Sequence, residues 1–408
     1  MRANTQIFLA LVFILLTLGT PLRQTGQYST NTSVTIPIDV TSYGGIVLQA
    51  RINNSPPMSF YLDSGASLPF VINVNKAKEL GLKLRGSLSR EGGAGPNSYE
   101  TSLTSGLKIA LENKTFTNQT ASVMSLRVIE EQFGRPVDGL VGLDLFLNYV
   151  VEIDYVSKKL KLYDPHDYVY SGAGESVLLT LSDGHFFVPA KIDIPDRGEL
   201  TGRLLVDTGG CMMSVVLTSP FARRNNLPPR NQKTILDRSV AGLGGATSLL
   251  VARATNFKIG NSVFSAPLIY ISEDKRGALA SSEYEGLIGT EILTRFKVIF
   301  DYQRRRLILE RNANFDEPLE YDMSGMSLRA YGADFSVFKI YQVLDGSPAA
   351  RAGLRVGDVI EGIDDLPASR LTLEQILRMM KVEAREYSLK IKRGSESRVV
   401  RIKTRRLI

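Results

Sequence analysis

Apolar residues recur at every second position, or in short unbroken runs, along most of the chain between residues 34 and 312. This spacing is typical of β-strands. Residues 36–65 and 178–209 follow one plan: a strand, a turn containing glycine, a second strand, a polar turn, and an apolar strand that ends at an aspartate. One short helix is predicted after each plan, over residues 73–82 and 219–227. The pattern therefore predicts a mainly β protein.

The two plans belong to an internal repeat. Asp63 in "FYLDSGAS" and Asp207 in "LLVDTGGC" lie 144 residues apart. Further on, residues 137–163 and 284–310 also match, with an offset of 147. Repeat units of this size are whole lobes rather than solenoid turns. The sequence predicts one lobe at residues 34–165 and a second at 175–312.

The repeated aspartate has a chemical reason to occur twice. Two carboxyl groups within hydrogen-bond reach cannot both ionise easily, so they share a proton and offer a base and an acid together. Such a pair can activate water against a carbonyl. Two other interpretations remain: both residues are turn aspartates at strand ends, or the lobes form a peptide-binding cleft without catalysis.

With these phrases the chain resembles the bacterial retropepsin-like aspartic proteases. The resemblance rests on "LDSGAS" and "VDTGG", on "GGAG" and "GLGG", and on "DGLVGLD" and "EGLIGTE". It implies two pepsin-type β lobes related by a pseudo-two-fold axis, with Asp63 and Asp207 as the catalytic dyad. Apolar side chains would flank the bond that is cleaved. The supporting active-site loop residues would be Ser64, Gly65, Thr208 and Gly209, and the flap glycines would be Gly92, Gly93, Gly95, Gly242, Gly244 and Gly245.

The second phrase departs from the family at Gly210 and Cys211, where a small hydroxyl residue or alanine followed by serine is usual. Because of this departure, the sequence does not predict the hydrogen bonds that usually support the second aspartate. Cys211 is the only cysteine, so no internal disulfide is possible, and a packed small hydrophobe is its expected role. The two flap sequences also differ, which predicts an asymmetric cleft with inequivalent aspartates.

Residues 322–408 change character and resemble a PDZ domain of the type found with bacterial proteases. The specific phrase is "GSPAARAGLRVGDVI", and one amphipathic helix is predicted over residues 371–381. The resemblance implies that a peptide or protein terminus adds as a strand to a sheet edge. A domain that only packs on the lobes is the alternative. The candidate peptide-binding loop comprises Gly325, Met326, Ser327 and Leu328.

The N-terminus carries Arg2 and a twelve-residue apolar run over residues 7–18. This run is shorter than the roughly 20 residues of a bilayer crossing. Residues 1–20 are therefore expected to be a signal peptide, with an uncleaved membrane anchor as the alternative. Export follows, to a periplasmic or secreted location or to the outer face of the membrane.

Composition excludes several functions. The net charge of +7 is concentrated near the end of the chain, and no nucleic-acid module accompanies it. No zinc motif occurs and only His166 and His185 are present, so neither a metal nor another cofactor is expected, and both histidines are interpreted as solvated turn residues. The prediction is an aspartic endopeptidase acting on proteins or peptides. The alternative is a non-catalytic peptide-binding protein of the cell envelope.

Overall fold

The structure is a computed structural model that describes residues 33–90 and 93–408. The predicted signal segment at residues 1–20 and the predicted flap residue Gly92 lie outside the described residues. The described chain forms two β lobes followed by a smaller β domain, which agrees with the predicted fold class.

Lobe 1 is built mainly from one eight-stranded sheet, in which the strands are ordered β2-β3-β4-β9-β5-β8-β7-β6. Its strands are β1 Ser33–Pro37, β2 Asp39–Val40, β3 Ile46–Ile52, β4 Met58–Leu62, β5 Phe70–Asn73, β6 Arg85–Arg90, β7 Tyr99–Leu111, β8 Lys114–Met124, β9 Gly139–Val141, β10 Val150–Asp154 and β11 Lys159–Tyr163, and its helices are α1 Val74–Glu79, α2 Arg127–Phe133 and α3 Leu143–Asn148.

Lobe 2 repeats this plan. Its strands are β12 Glu175–Leu178, β13 Thr180–Ser182, β14 His185–Ile194, β15 Gly198–Val206, β16 Val215–Leu217, β17 Ile235–Asp237, β18 Ala241–Gly242, β19 Gly245–Ala246, β20 Leu249–Arg253, β21 Asn256–Ile259, β22 Ser262–Ser265, β23 Leu268–Ser272, β24 Gly286–Ile288, β25 Phe296–Asp301 and β26 Arg306–Arg311, its helices are α4 Ser219–Arg224 and α5 Thr290–Leu293, and single 3₁₀ turns lie at Ala278–Ala280 and Tyr302–Arg304.

The same unusual connection occurs in both lobes beside the aspartates. In lobe 1, β9 inserts between β4 and β5, parallel to β4 and antiparallel to β5. In lobe 2, β24 inserts in the same way between β15 and β16. Glycine makes this insertion possible, because a Cβ on Gly139 would lie 2.3 Å from the Val71 carbonyl oxygen, and one on Gly286 would lie 2.1 Å from the Val216 carbonyl oxygen. The apolar-apolar-Gly phrases therefore form the strands that hold the aspartate loops in place.

A six-stranded sheet joins the lobes, with the order β1-β11-β10-β25-β26-β12. At its centre β10 of lobe 1 pairs antiparallel with β25 of lobe 2, so that Ile153 lies opposite Val298. One continuous hydrophobic core runs through both lobes. The lobes therefore pack as a single unit around a pseudo-two-fold axis.

Residues 326–403 form the PDZ domain, whose principal sheet order is β27-β28-β29-β31-β32 and whose core is separate from that of the lobes. Its strands are β27 Met326–Tyr331, β28 Val337–Val343, β29 Val359–Ile363, β30 Leu366–Pro367, β31 Glu386–Arg393 and β32 Glu396–Lys403, its helices are α6 Pro348–Arg351 and α7 Leu373–Met379, and a 3₁₀ turn lies at Ala368–Arg370. Helix α7 begins at a capping box in which Thr372 and Gln375 each bond the other's backbone amide.

The expectation of one short helix per lobe is wrong, although α1 and α4 lie where they were predicted. Helices α2, α3 and α5 were not predicted, and the last two directly follow the inserted strands β9 and β24. All three are short, at four to seven residues, which is too few for a helical period to be recognised from the sequence.

Candidate active site

Asp63 and Asp207 stand at the ends of β4 and β15, and the structure brings their side chains into hydrogen-bond contact. Each aspartate's own amide donates to the inserted strand, at 2.9 Å from Asp63 N to Val141 O and 3.0 Å from Asp207 N to Ile288 O. These bonds fix the two loops by the same contact in each lobe. The two residues predicted from the repeated phrase thus meet at the lobe interface.

The hydroxyl residues that follow the aspartates exchange hydrogen bonds across the interface. The Ser64 amide donates to Thr208 Oγ1 at 2.9 Å, and the Thr208 amide donates to Ser64 Oγ at 3.0 Å. Ser64 Oγ in turn donates to Val206 O at 2.7 Å, and Thr208 Oγ1 donates to Leu62 O at 2.9 Å. Both side chains are buried, so every donor here has its partner inside the protein. The network ties the ends of β4 and β15 together.

Gly65 and Gly209 leave room for the carboxyl groups. Each glycine amide donates to the aspartate of its own lobe, at 2.9 Å to Asp63 Oδ1 and 2.8 Å to Asp207 Oδ1. A Cβ on Gly65 would lie 2.5 Å from Asp207 Oδ1, and one on Gly209 would lie 2.4 Å from Asp63 Oδ1. No side chain fits at either position, so the glycines permit the close approach of the two aspartates.

Burial and mutual charge make the pair inequivalent. Burial raises the pKa of Asp63, while hydrogen bonds from Gly65 and Asp207 favour its charged form. Burial raises the pKa of Asp207 well above its usual range, and the negative charge of Asp63 raises it further. The pKa values of both carboxyl groups are therefore raised, so the pair favours one shared proton over full ionisation.

The two flaps close over the dyad and bond each other through their backbones. Gly244 N donates to Ala94 O at 2.9 Å, and Asn97 N donates to Gly244 O at 2.9 Å. A Cβ on Gly95 would lie 2.5 Å from the Gly244 carbonyl, so these contacts need glycine. Gly93 and Gly95 lie in the lobe 1 flap between β6 and β7, and Gly242, Gly244 and Gly245 lie in the β18–β19 hairpin of lobe 2.

Under the flaps lies a cleft of about 780 Å³ with the dyad at its floor. Its walls combine apolar side chains from both lobes, among them Tyr61, Leu68, Phe133, Leu205 and Leu287. The cleft can accommodate an extended peptide with apolar side chains.

His185 also lines this cleft, and its interpretation as a solvated turn residue is wrong. It is the first residue of β14, and its charge favours ionised Asp63. Arg203 lies over the ring of Phe187 at 4.7 Å in the same wall. No spacing signal in the sequence connects these residues to the dyad, because the pairing of β14 with β15 places them there.

Cys211 is a buried free thiol behind Asp207, in keeping with the predicted packing role. Burial raises its pKa well above the usual range, and the charges of Asp207 and Asp63 raise it further. The thiol is therefore held in its neutral form. The departure at Gly210 leaves the local turn intact, since Gly210 N donates to Asp207 O at 3.2 Å.

In the candidate PDZ loop, the backbone amides of Gly325 and Met326 already donate to side chains of the same segment. Gly325 N donates to Asp322 Oδ1 at 2.6 Å, and Met326 N donates to Ser324 Oγ at 3.1 Å. Met326, Ser327 and Leu328 line a second cavity of about 580 Å³ at the junction of the PDZ domain with both lobes. Gly325 lies outside this cavity wall, with its Cα facing the Ser347 side chain.

Comparisons with known proteins agree with the two domain types. A family model described as an aspartyl protease matches residues 48–145, and one described as a PDZ domain matches residues 339–393. No curated protein matches the chain. The aspartic proteinase from Irpex lacteus is similar in structure, with 14% sequence identity, a TM-score of 0.45, and coverage of 70% of this chain and 99% of that chain. The chain carries an aspartyl protease domain and a PDZ domain, as predicted.

Within residues 33–90 and 93–408, no helix is long and apolar enough to cross a membrane. Over the same ranges, His, Cys, Asp and Glu side chains form no group of three or more that could hold a metal ion.

Proposed function

We propose that this protein is an exported aspartic endopeptidase that hydrolyses peptide bonds with water activated between Asp63 and Asp207. The observation that carries the proposal is the contact of two half-buried carboxyl groups at the floor of a 780 Å³ cleft. Holding two acidic groups side by side away from water is costly for stability. The functional reason for such an arrangement is that the two groups share one proton and so provide a base and an acid together.

Within this proposal we give the acid role to Asp207, because burial and the charge of Asp63 raise its pKa. Ionised Asp63 takes a proton from water as the water oxygen attacks the carbonyl carbon, while Asp207 donates its proton to the carbonyl oxygen. Asp63 then passes its new proton to the amide nitrogen as the C–N bond breaks. Asp207 recovers a proton from the collapsing gem-diol, which returns both groups to their starting states.

The substrate would be a polypeptide in extended form, because the cleft lies under the two flaps and is lined by residues of both lobes. Ala278 N donates to Gly93 O, and the flaps bond each other, so substrate entry requires the flaps to part. The PDZ domain would bind a second peptide segment or a protein terminus.

The test is cleavage of a diverse unfolded peptide mixture by residues 21–408 between pH 3 and 8, with products identified by mass spectrometry. We expect Asp63→Asn and Asp207→Asn to abolish cleavage while circular dichroism shows an intact fold. Asp345→Asn, on an exposed turn of the PDZ domain, is the matched control and should retain full activity. Full activity in either dyad variant would overturn the proposal.

A wild type that is folded, binds peptides and cleaves nothing at any pH would instead support the alternative of a non-catalytic peptide-binding protein. The retention of both aspartates in contact favours the enzyme.

Export is proposed from the apolar run at residues 7–18. Expression of the full chain followed by cell fractionation and N-terminal sequencing tests it. A mature N-terminus near residue 20 outside the cytoplasm is expected for a cleaved signal peptide. Retention of Met1 in the membrane fraction would indicate the anchor, and a wholly cytoplasmic full-length protein would contradict export.

A further inference from the structure

The peptide groove of the PDZ domain is filled at one end by lobe 1. A PDZ domain receives a peptide between an edge strand and a helix, which here are β27 and α7. Gly134, directly after α2, sits between them: a Cβ on Gly134 would lie 2.6 Å from Leu373 Cβ on α7 and 3.3 Å from Ala330 Cβ on β27. Its φ of 67° also ends α2 in the left-handed conformation that glycine favours.

The other end of α2 is attached to the PDZ domain as well. Arg127 Nη2 donates to the carbonyl oxygen of Gly332, just after β27, at 3.4 Å. The Arg127 guanidinium also lies 4.9 Å from the centre of the Phe335 ring. Helix α2 therefore runs beside β27, where an added peptide strand would lie.

The remaining end of the groove opens into the 580 Å³ junction cavity, which Met326, Leu328, Leu377 and Arg378 help to line. Two cations here lack a carboxylate partner. Arg295 donates only to backbone carbonyls and leaves Nε buried without a partner, and Arg378 forms no ion pair with any described residue. The lining also contains the carboxylates of Asp237, Glu291, Glu317, Glu320 and Asp322. Exposed Arg378 is therefore the one described cation of this wall that an incoming carboxylate, such as the terminal group of a polypeptide, would meet without an ion-pair partner in place.

Helix α2 also holds the base of the lobe 2 flap. Gln132 Oε1 accepts the amide of Ala241, the first residue of the flap hairpin, at 2.8 Å. Ile129, Gln132 and Phe133 line the active-site cleft on the same helix. Moving α2 therefore changes both the wall of the cleft and the support of the flap.

The PDZ domain bonds the same flap base directly. Gln342 accepts the Arg238 amide at 2.8 Å and donates to Leu236 O at 2.7 Å. Arg329 Nη2 donates to Ser239 O at 2.8 Å. Residues 236–241 lead into the β18–β19 hairpin, so the docked PDZ domain fixes the flap at its root.

We infer that the carboxyl-terminal segment of a partner polypeptide competes with α2 for the PDZ groove, and that displacing α2 releases the lobe 2 flap and speeds proteolysis. The second half of this inference rests on the proposed endopeptidase function. The docked state reduces apparent ligand affinity, because only the fraction of molecules with an open groove can bind. Ligand and flap opening favour the same state and therefore reinforce each other.

The test uses residues 21–408 carrying Asp207→Asn, so that the probe is not cut. The probe is a pool of fluorescein-labelled heptapeptides with free carboxyl termini and varied apolar last residues, and the same pool with amidated termini is its control. Arg127→Ala with Gln342→Ala loosens docking, whereas Arg398→Ala, on the far strand β32, is the matched control. We expect the loosened variant to bind the acid pool at least tenfold more tightly than the control.

Hydrogen exchange gives a readout that does not depend on catalysis. The acid pool should speed amide exchange in residues 127–134 and 236–247, and the amidated pool should not. Equal binding of the acid pool by the loosened and control variants, absence of binding by both, or binding without faster exchange in these segments would each overturn the inference. In the chain with both aspartates, the acid pool should also raise the cleavage rate. If that chain cleaves nothing while binding and exchange behave as expected, the endopeptidase function fails and the competition for the groove stands.

Discussion

Gly65 and Gly209 show how closely single residues control the candidate site, because each faces the carboxyl group of the opposite lobe. Gly209→Ala would place a methyl group 2.4 Å from Asp63 Oδ1 and push the two aspartates apart. Displacements of about 1 Å can cost a hundredfold in rate. We therefore expect kcat to fall by about 100-fold or more, with circular dichroism unchanged.

Gly346→Ala is the control for this substitution. Gly346, on a turn of the PDZ domain, has positive φ, unlike Gly209, and has open space around its Cα. The Gly346→Ala substitution should lower the free energy of unfolding through backbone strain and leave the cleavage rate unaltered. A Gly209→Ala enzyme with wild-type kcat would contradict the role assigned to this glycine.

Asp322, four residues before β27, predicts a pH dependence of stability. Burial raises its pKa to about 6, despite hydrogen bonds from Ser324 and Gly325 that favour the charged form. The folded protein therefore binds this proton more tightly than the unfolded chain does. The resulting stabilisation is fully present below pH 4 and is lost as pH rises through 6, up to about 3 kcal/mol.

Asp322→Asn should remove this dependence, since asparagine keeps an oxygen acceptor for the same donors. Chemical denaturation at pH 4, 5, 6 and 7 measures it, and the difference between wild type and variant should shift in favour of the variant as pH rises. Parallel pH profiles for the two proteins would contradict the prediction.

At this scale the sequence predicted Asp63 and Asp207, because each aspartate loop needs the same few neighbouring residues and those residues therefore occur twice as a recognisable motif. His185, Gln132 and Arg203 carry no such phrase. Their places in the cleft depend on which strand lies beside which, and that information is spread over the whole fold.

At the scale of elements, the reciprocal hydrogen bonds of the Ser64 and Thr208 hydroxyl groups, at the ends of β4 and β15, are the contact that aligns the lobes. Thr208→Val keeps the shape but leaves the Ser64 amide and the Leu62 carbonyl buried without this partner. Each unsatisfied group costs about 1–3 kcal/mol, so we expect the two together to lower the free energy of unfolding by about 2–6 kcal/mol.

Urea denaturation measures this loss, and Thr201→Val, on the exposed part of β15, is the control. The control should change stability by no more than about 0.5 kcal/mol. Equal stability of the two variants would show that the hydrogen bonds between Ser64 and Thr208 contribute little to the free energy of unfolding.

The strands of the repeat and helices α1, α4 and α7 were predictable, because the alternation of apolar and polar residues and the helix-capping residues are local features of the sequence. Helices α2, α3 and α5 were not. Residues 143–148, "LDLFLN", pack on the inter-lobe core, and a six-residue segment with four apolar residues is compatible with either helix or strand. Tertiary contacts, rather than local sequence preference, decide whether such a segment forms a helix or a strand.

At the scale of the whole molecule, the two lobes share one core while the PDZ domain has its own. Phe300, at the centre of the inter-lobe sheet, contacts Phe146 of lobe 1 at 4.8 Å and Phe186 of lobe 2 at 5.8 Å between ring centres. Phe300→Ala should lower the stability of both lobes together by about 3–5 kcal/mol. Phe338→Ala, buried in the PDZ core, should act mainly on that domain.

Native-state hydrogen exchange, read separately over β10, β25 and β31, distinguishes these outcomes. Protection should fall equally in β10 and β25 for Phe300→Ala, and mainly in β31 for Phe338→Ala. Loss of protection in only one lobe for Phe300→Ala would mean that the lobes unfold independently.

The pairing of β10 with β25 has one more consequence. Because the halves of the dyad are connected by the same polypeptide and by the same sheet, assembling the site needs no encounter between molecules. Cleavage per molecule should then stay constant on dilution to nanomolar concentrations, where a site shared between two chains would fall apart. The two lobes can also differ at matching positions, as they do where Ser67 of lobe 1 corresponds to Cys211 of lobe 2.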